Sequence, residues 1–228
     1  MKKIITISGL IAGMLACAVC AEVAGDIDSD RDGFTDMYEG KIGTDTLDPA
    51  SRPSLADNRD KIIGLWPFAT NALDVSGLGN DGQPRNGAVV RDGRLVLDGD
   101  DDYVTFGNPP SLTVTGSIAV CLWVRPAEER GVMRILGRMQ TRDNNRDFCM
   151  FFGAGNRLLV FISDNGAVGE GHSVLKATKE QIVEKGKWMH LAVSWDSLEG
   201  ADGMRVYING RQEKLLNGGS EDIFSIHQ

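Results

Sequence analysis

The run from Ser117 to Arg125, SIAVCLWVR, constrains this chain most. Ile118, Val120, Leu122 and Val124 alternate with Ala119, Cys121 and Trp123, so both faces of an extended segment are apolar. That pattern belongs to a strand covered on both sides, as when two sheets pack face to face. Two more β-type runs precede it, Arg94–Leu97 and Tyr103–Phe106. Gly99, Gly107, Pro109-Pro110 and Gly116 punctuate the stretch. Short runs bounded by turn formers predict antiparallel sheets rather than helices.

The same pattern continues on either side. Lys61–Phe68, Ala88–Val90, Val132–Met139, Asp147–Phe152, Arg157–Ser163 and Ser173–Ala177 read as strands, as do Lys187–Asp196, Met204–Ile208, Gln212–Leu215 and Asp222–His227. Pro67 marks an edge or a strand end. Gly153 to Asn156 and Asn209-Gly210 read as hairpin turns. Thr178-Lys179-Glu180-Gln181 has the form of a capping box and predicts a short helix ended by Gly186. The 28 glycines suit an all-β domain with many turns.

The N-terminus reads differently. Lys2 and Lys3 precede an uncharged apolar run, Ile4 to Val19, and Val19-Cys20-Ala21 supplies small residues for cleavage before Glu22. This is the layout of a secretory signal peptide over residues 1–21, and it is shorter than the roughly 20 apolar residues of a membrane span. Cys17 offers an alternative, lipoprotein acylation, with Met14 where that motif usually carries leucine. The expected location is secreted or cell-surface. Loss of residues 1–21 removes two lysines and no acid, moving the net charge from −8 to −10. Such a chain is a poor partner for nucleic acid or anionic membrane and a good one for cations or neutral ligands. Cys121 and Cys149 remain, and two readings stay open: a disulfide, or two buried thiols on separate strands.

Residues 22–58 lack apolar periodicity. Within them Asp28, Asp30, Asp32, Asp36 and Glu39 fill positions 1, 3, 5, 9 and 12 of a twelve-residue loop with Gly33 at position 6, the spacing of a calcium loop. Alternate side chains of such a loop converge on one point, the Phe34 carbonyl supplies position 7, and Glu39 closes the site. Without a cation these carboxylates repel one another. No amphipathic helix precedes Asp28, which argues against a full EF-hand. With Gly43-Thr44-Asp45 and Asp48-Pro49 behind it, the segment resembles a thrombospondin type 3 repeat, which implies an extracellular calcium-stiffened spacer. Pro49 and Pro53 then mark a linker.

Residues 59–228 resemble a laminin G-like domain of the concanavalin A-like lectin/glucanase superfamily. The resemblance rests on Leu65-Trp66-Pro67-Phe68, Asp74-Val75-Ser76-Gly77 with Asn80 and Gly82, Leu97-Asp98-Gly99 with Asp102-Tyr103-Val104, Ser117–Pro126, Trp188–Val193, and Val206–Gly210. It implies an all-β, two-sheet antiparallel jelly-roll sandwich. Relatives carry further strands after the point where this sequence stops, so the resemblance implies a sandwich incomplete at its C-terminus. Such a body predicts poor solubility or a missing partner strand. It also implies a second calcium site on the sandwich rim, with oxygens from Asp74, Ser76 or its neighbours, Asn80 and the Asp98–Asp101 run.

No catalytic constellation is legible. His190 sits mid-strand between apolar neighbours and reads as packed; His172 and His227 form no metal-ligand spacing. Trp66, Trp123, Trp188 and Trp195 read as core residues rather than a sugar platform. The superfamily includes glycoside hydrolases, which need paired carboxylates on one strand face, and no Glu-x-Asp-x-Glu run occurs. The sequence therefore predicts a non-enzymatic, calcium-binding module for glycans or extracellular proteins. The alternative is an accessory fragment of a larger surface protein or carbohydrate-active enzyme.

Overall fold

The structure is a computed structural model that describes residues 5–13, 29–30, 36, 43, 45–48, 50–51, 61–113, 116–127, 132–140, 145–163 and 173–217. Two antiparallel sheets dominate it. The first runs β4 (Val89–Arg91), β5 (Arg94–Leu97), β1 (Ile5–Gly13), β7 (Ile118–Pro126), β12 (Met189–Trp195), β13 (Met204–Ile208) and β14 (Arg211–Gln212), with β2 (Ile62–Trp66) also paired to β1. The second runs β15 (Leu215–Asn217), β11 (Ser173–Thr178), β10 (Arg157–Ser163), β9 (Asn145–Gly153) and β8 (Met133–Gln140). A small ribbon joins β3 (Gln83–Arg85) to β6 (Tyr103–Thr105).

The core lies between the two large sheets. From the first come Leu95, Leu97, Val120, Leu122, Val124, Leu191, Val193 and Val206; from the second come Phe148, Met150, Phe152, Leu158, Val160 and Ile162. These are every-second residues of their strands, as the period of two demands. Each such side chain contributes about 1.5–3 kcal/mol by leaving water. The alternate residues form smaller outer clusters: Cys121 with Ala192 and Tyr207 on the first sheet, Cys149 with Phe151, Leu159 and Phe161 on the second. The antiparallel two-sheet expectation holds, and β7 has apolar residues on both faces as its sequence requires.

Three local expectations are corrected. Thr178 opens no helix. It ends β11, and its hydroxyl accepts the Leu158 amide at 3.2 Å while donating to the Glu180 carbonyl at 3.0 Å. The following amides are drawn elsewhere: Lys179 donates to the Lys214 carbonyl, and Ile182 and Val183 donate to that of Asn156. Donors taken by distant carbonyls cannot close helical turns. The Gln212–Leu215 run is split, its first residue on β14 of one sheet and its last on β15 of the other. The four tryptophans do not share a fate, as described below. The apolar run read as a leader holds a strand position, β1, between β5 and β7. The expected strand at Asp222–His227 lies outside the described residues.

Candidate functional site

The acidic turn between β5 and β6 is built from its own carboxylates. Gly99 takes φ +75°, which lets the chain reverse after Asp98. The Asp98 amide donates to Asp102 Oδ2 at 2.8 Å, and the Asp100 amide donates to Asp98 Oδ1 at 3.0 Å. Asn86 Nδ2 donates to the Asp101 carbonyl at 2.8 Å from the neighbouring turn. The result gathers one oxygen each from Asp98, Asp101 and Asp102 within 4.8 Å of one another. Asp101 is exposed and the other two are half-buried. Carboxylate oxygens gathered this closely are the kind of donor that a hard divalent cation takes. An all-oxygen donor set fits such an ion.

Asp74 and Asn80, expected beside Asp98, are used differently. Asp74 Oδ1 accepts the amides of Leu65 at 2.9 Å and Ser76 at 2.8 Å. Its Oδ2 accepts the Ser76 hydroxyl at 2.8 Å and the Asn80 amide at 3.0 Å. Burial alone would raise its pKa, but the amides of Leu65 and Ser76, the Ser76 hydroxyl and the Asn80 amide together hold it below the ordinary carboxylate value. Asn80 is buried. Its Nδ2 donates to the Ile63 carbonyl at 2.7 Å, and its Oδ1 accepts from Ser111 Oγ at 2.8 Å. Both side chains brace the 67–82 loop against β2. The acidic group that forms is Asp98 with Asp101 and Asp102; Asp74 is not in it. The Asp98–Asp102 run was visible in the sequence, but not that Asp102 would fold back onto the Asp98 amide.

Of the loop expected to bind calcium near the N-terminus, Asp30 and Asp36 are described, while Asp28, Asp32, Phe34 and Glu39 lie outside the described residues. Ser29 donates its amide to Asp36 Oδ1 at 2.9 Å and its hydroxyl to Asp36 Oδ2 at 2.7 Å. Loop positions 2 and 9 are thereby brought together.

The outer face of the first sheet carries an aromatic group. Trp66 is buried at 1% exposure, but Trp123 is 47% and Trp188 37% exposed. The period of two explains Trp123: its neighbours Leu122 and Val124 enter the core, so it must face outward. His190 stands opposite Trp123 in the β12–β7 register, with ring centroids 5.3 Å apart. The guanidinium of Arg125 lies 5.4 Å over the Trp188 ring. The His190 amide donates to Asn209 Oδ1 at 2.8 Å. This histidine, expected to be packed, lies half-buried against the Trp123 ring on the outer face rather than in a core. Cys121 and Cys149 are buried thiols in separate outer clusters, not bridged to each other.

No curated protein and no solved structure matches the chain. A family model described as the concanavalin A-like lectin/glucanases superfamily, of the laminin G type, matches residues 98–222, from the acidic turn through the last described strand. With more than half of its length matched and two antiparallel sheets packed on one core, the chain belongs to the concanavalin A-like lectin/glucanases superfamily.

Proposed function

We propose that the chain is an exported, non-catalytic binding or adhesion module that uses calcium for rigidity and recognises a glycan or an extracellular protein. The observation that carries this reading is the aromatic group on the outer face of the first sheet. Trp123, His190, Trp188 and Arg125 offer flat apolar surfaces beside polar nitrogens. Sugar rings present apolar C–H faces edged with hydroxyls, and such a surface matches them. Membership in a lectin-containing superfamily points the same way.

Calcium serves two places in this reading. The Asp98–Asp101–Asp102 group supplies hard oxygen donors at the sandwich rim. The Asp28–Glu39 loop supplies a second set, and its likeness to a thrombospondin type 3 repeat makes residues 22–58 a stiff spacer. Extracellular calcium modules work at about 10⁻⁴–10⁻³ M.

Glycan-array screening of the exported chain, with and without calcium, tests the proposal. Binding that Trp123→Ala abolishes, with the melting temperature unchanged, is the expected result. Hydrolysis of any arrayed sugar would overturn the non-catalytic reading. Binding that Trp123→Ala and Trp188→Ala both leave intact would move the site off this face.

A further inference from the structure

β1 is bonded along both edges. One edge meets β7, from Ile5 opposite Pro126 to Gly13 opposite Ala119. The other meets two strands in succession: Ile5 to Ile7 face Leu97 to Leu95 of β5, and Leu10 to Gly13 face Trp66 to Ile62 of β2. Among the described residues β2 pairs with no other strand, and β5 otherwise pairs only with β4. Removing β1 therefore divides the sheet into β4-β5, β2 and β7-β12-β13-β14. It also opens a groove nine residues long, edged by two rows of unpaired backbone amides and carbonyls. Its walls carry core residues: Leu95, Leu97, Val120, Leu122 and Val124. Unpaired backbone groups beside a core are costly, so such a groove does not stay empty.

The segment that fills it is also the segment whose sequence reads as a cleaved leader. We propose that the place of β1 is a strand-acceptor groove. The chain's own N-terminal run fills it until that run is cut away, and an extended apolar segment of a partner polypeptide, antiparallel to β7, fills it afterwards. The second step rests on the export reading. The seated strand, ITISGLIAG, defines the chemistry of the occupant: nine residues, uncharged, without proline. A second processed copy does not meet that need, because it has lost the same run. Strand addition of this kind draws its affinity from backbone hydrogen bonds and its selectivity from alternate side chains.

The test begins with the full chain carrying Cys17→Ser and Cys20→Ser. Ile11 stands opposite Cys121 in the β1–β7 register. Ile11→Cys should form an 11–121 disulfide under mild oxidation, read in a non-reduced peptide map, and Ala12→Cys, opposite Val120, should not. A protease site inserted after Ala21 is then cut in the folded chain. The leader fragment should co-elute with the body and exchange for an excess of labelled ITISGLIAG peptide, but not for the peptide with proline in place of Ile11. A cooperatively folded Ile11→Cys chain without the bridge would overturn the groove. A cut body that stays monomeric with its melting temperature unchanged and takes up no peptide would do the same. Cut bodies that pair with one another would replace the foreign occupant by a second copy. N-terminal sequencing of the exported protein separates the two readings: a start at Met1 overturns export and the partner step, whereas the bridge still reports the groove.

Discussion

The ring of Trp66 lies over Gly64, so closely that a β-carbon on the glycine would stand 2.1 Å from ring atom Cη2. Two residues apart on one strand, they share the core face of β2. The ring is fixed from other sides as well: Nε1 donates to the Asn80 carbonyl at 2.8 Å, and the Phe106 ring packs 4.2 Å away. It cannot yield to a new methyl without losing one of these contacts. Gly64→Ala should therefore destabilise the chain by about 1–3 kcal/mol, the usual cost of overpacking. Urea unfolding should show a lower midpoint with an unchanged slope. A wild-type midpoint would mean that the indole sits elsewhere.

Asp74 should make the body sensitive to acid. Its folded pKa lies below the 3.8 of an unperturbed aspartate, because the amides of Leu65, Ser76 and Asn80 and the Ser76 hydroxyl outweigh the opposing effect of burial. The ionised form is thus favoured by folding. Its stabilisation is fully present above about pH 4 and is lost as pH falls from there through the folded pKa. Asp74→Asn should remove that slope from the acid limb of the stability–pH curve. It should also cost about 2 kcal/mol at pH 7, since hydrogen bonds to a charged acceptor are lost at a half-exposed site. Parallel curves for wild type and Asp74→Asn below pH 4 would show that another group governs the acid limb.

Alternation made most strands legible. β7, β10 and β13 follow directly from their apolar periods, and the register of β12 follows from Met189, Leu191 and Val193. What the sequence hid was tertiary. Thr178 carries the local signal of a helix start, but Asn156 and Lys214 take the amides that would have closed the turns. The sequence marks Asp74 as an oxygen donor but does not show that its oxygens accept the amides of Leu65, Ser76 and Asn80 and the Ser76 hydroxyl. Trp123 belongs to the same alternating run as Cys121, yet nothing in its neighbours reveals that Cys121 is covered while Trp123 meets water. Ile5–Gly13 is the sharpest case, since an apolar, small-residue run suits a leader and a central strand equally well.

Calcium should stabilise the folded chain through the acidic turn. A ligand that binds the folded state alone adds RT ln(1 + [L]/Kd); for a site of about 1 mM in 10 mM calcium this comes to roughly 1.4 kcal/mol. Asp101 is exposed and a member of the three-carboxylate group, so Asp101→Asn should fold normally and lose most of that gain. Melting curves with and without calcium read the difference. An equal calcium shift in wild type and Asp101→Asn would place the effect outside this turn.

The N-terminal loop can be probed in the same chain by Asp32→Ala. Calcium titration calorimetry should then lose one binding event at millimolar calcium while the event sensitive to Asp101 persists. Ser29 and Asp36 meet through two hydrogen bonds, which tie positions 2 and 9 of the loop together. Two events that both survive Asp32→Ala would dismiss the twelve-residue loop as a ligand set.

Cys149 should be chemically silent in the native state. It sits on the outer face of the second sheet among Phe151, Leu159 and Phe161. Burial pushes its thiol up to about 12, and the Arg134 charge opposes this only in part. At pH 8 roughly one molecule in ten thousand then carries the reactive thiolate, and the site admits no reagent. Cys121 lies in a different cluster, on the first sheet beside Ala192 and Tyr207. The two sulfurs are therefore held by separate sheets and should not oxidise to a bridge even under oxidising conditions. Intact mass and a non-reduced peptide map of the exported chain should show no 121–149 linkage. Alkylation of Cys149 should require unfolding, with a rate that rises with urea in step with the unfolded population. Rapid labelling of Cys149 in the absence of denaturant, at unchanged circular dichroism, would mean that this face of the second sheet is open.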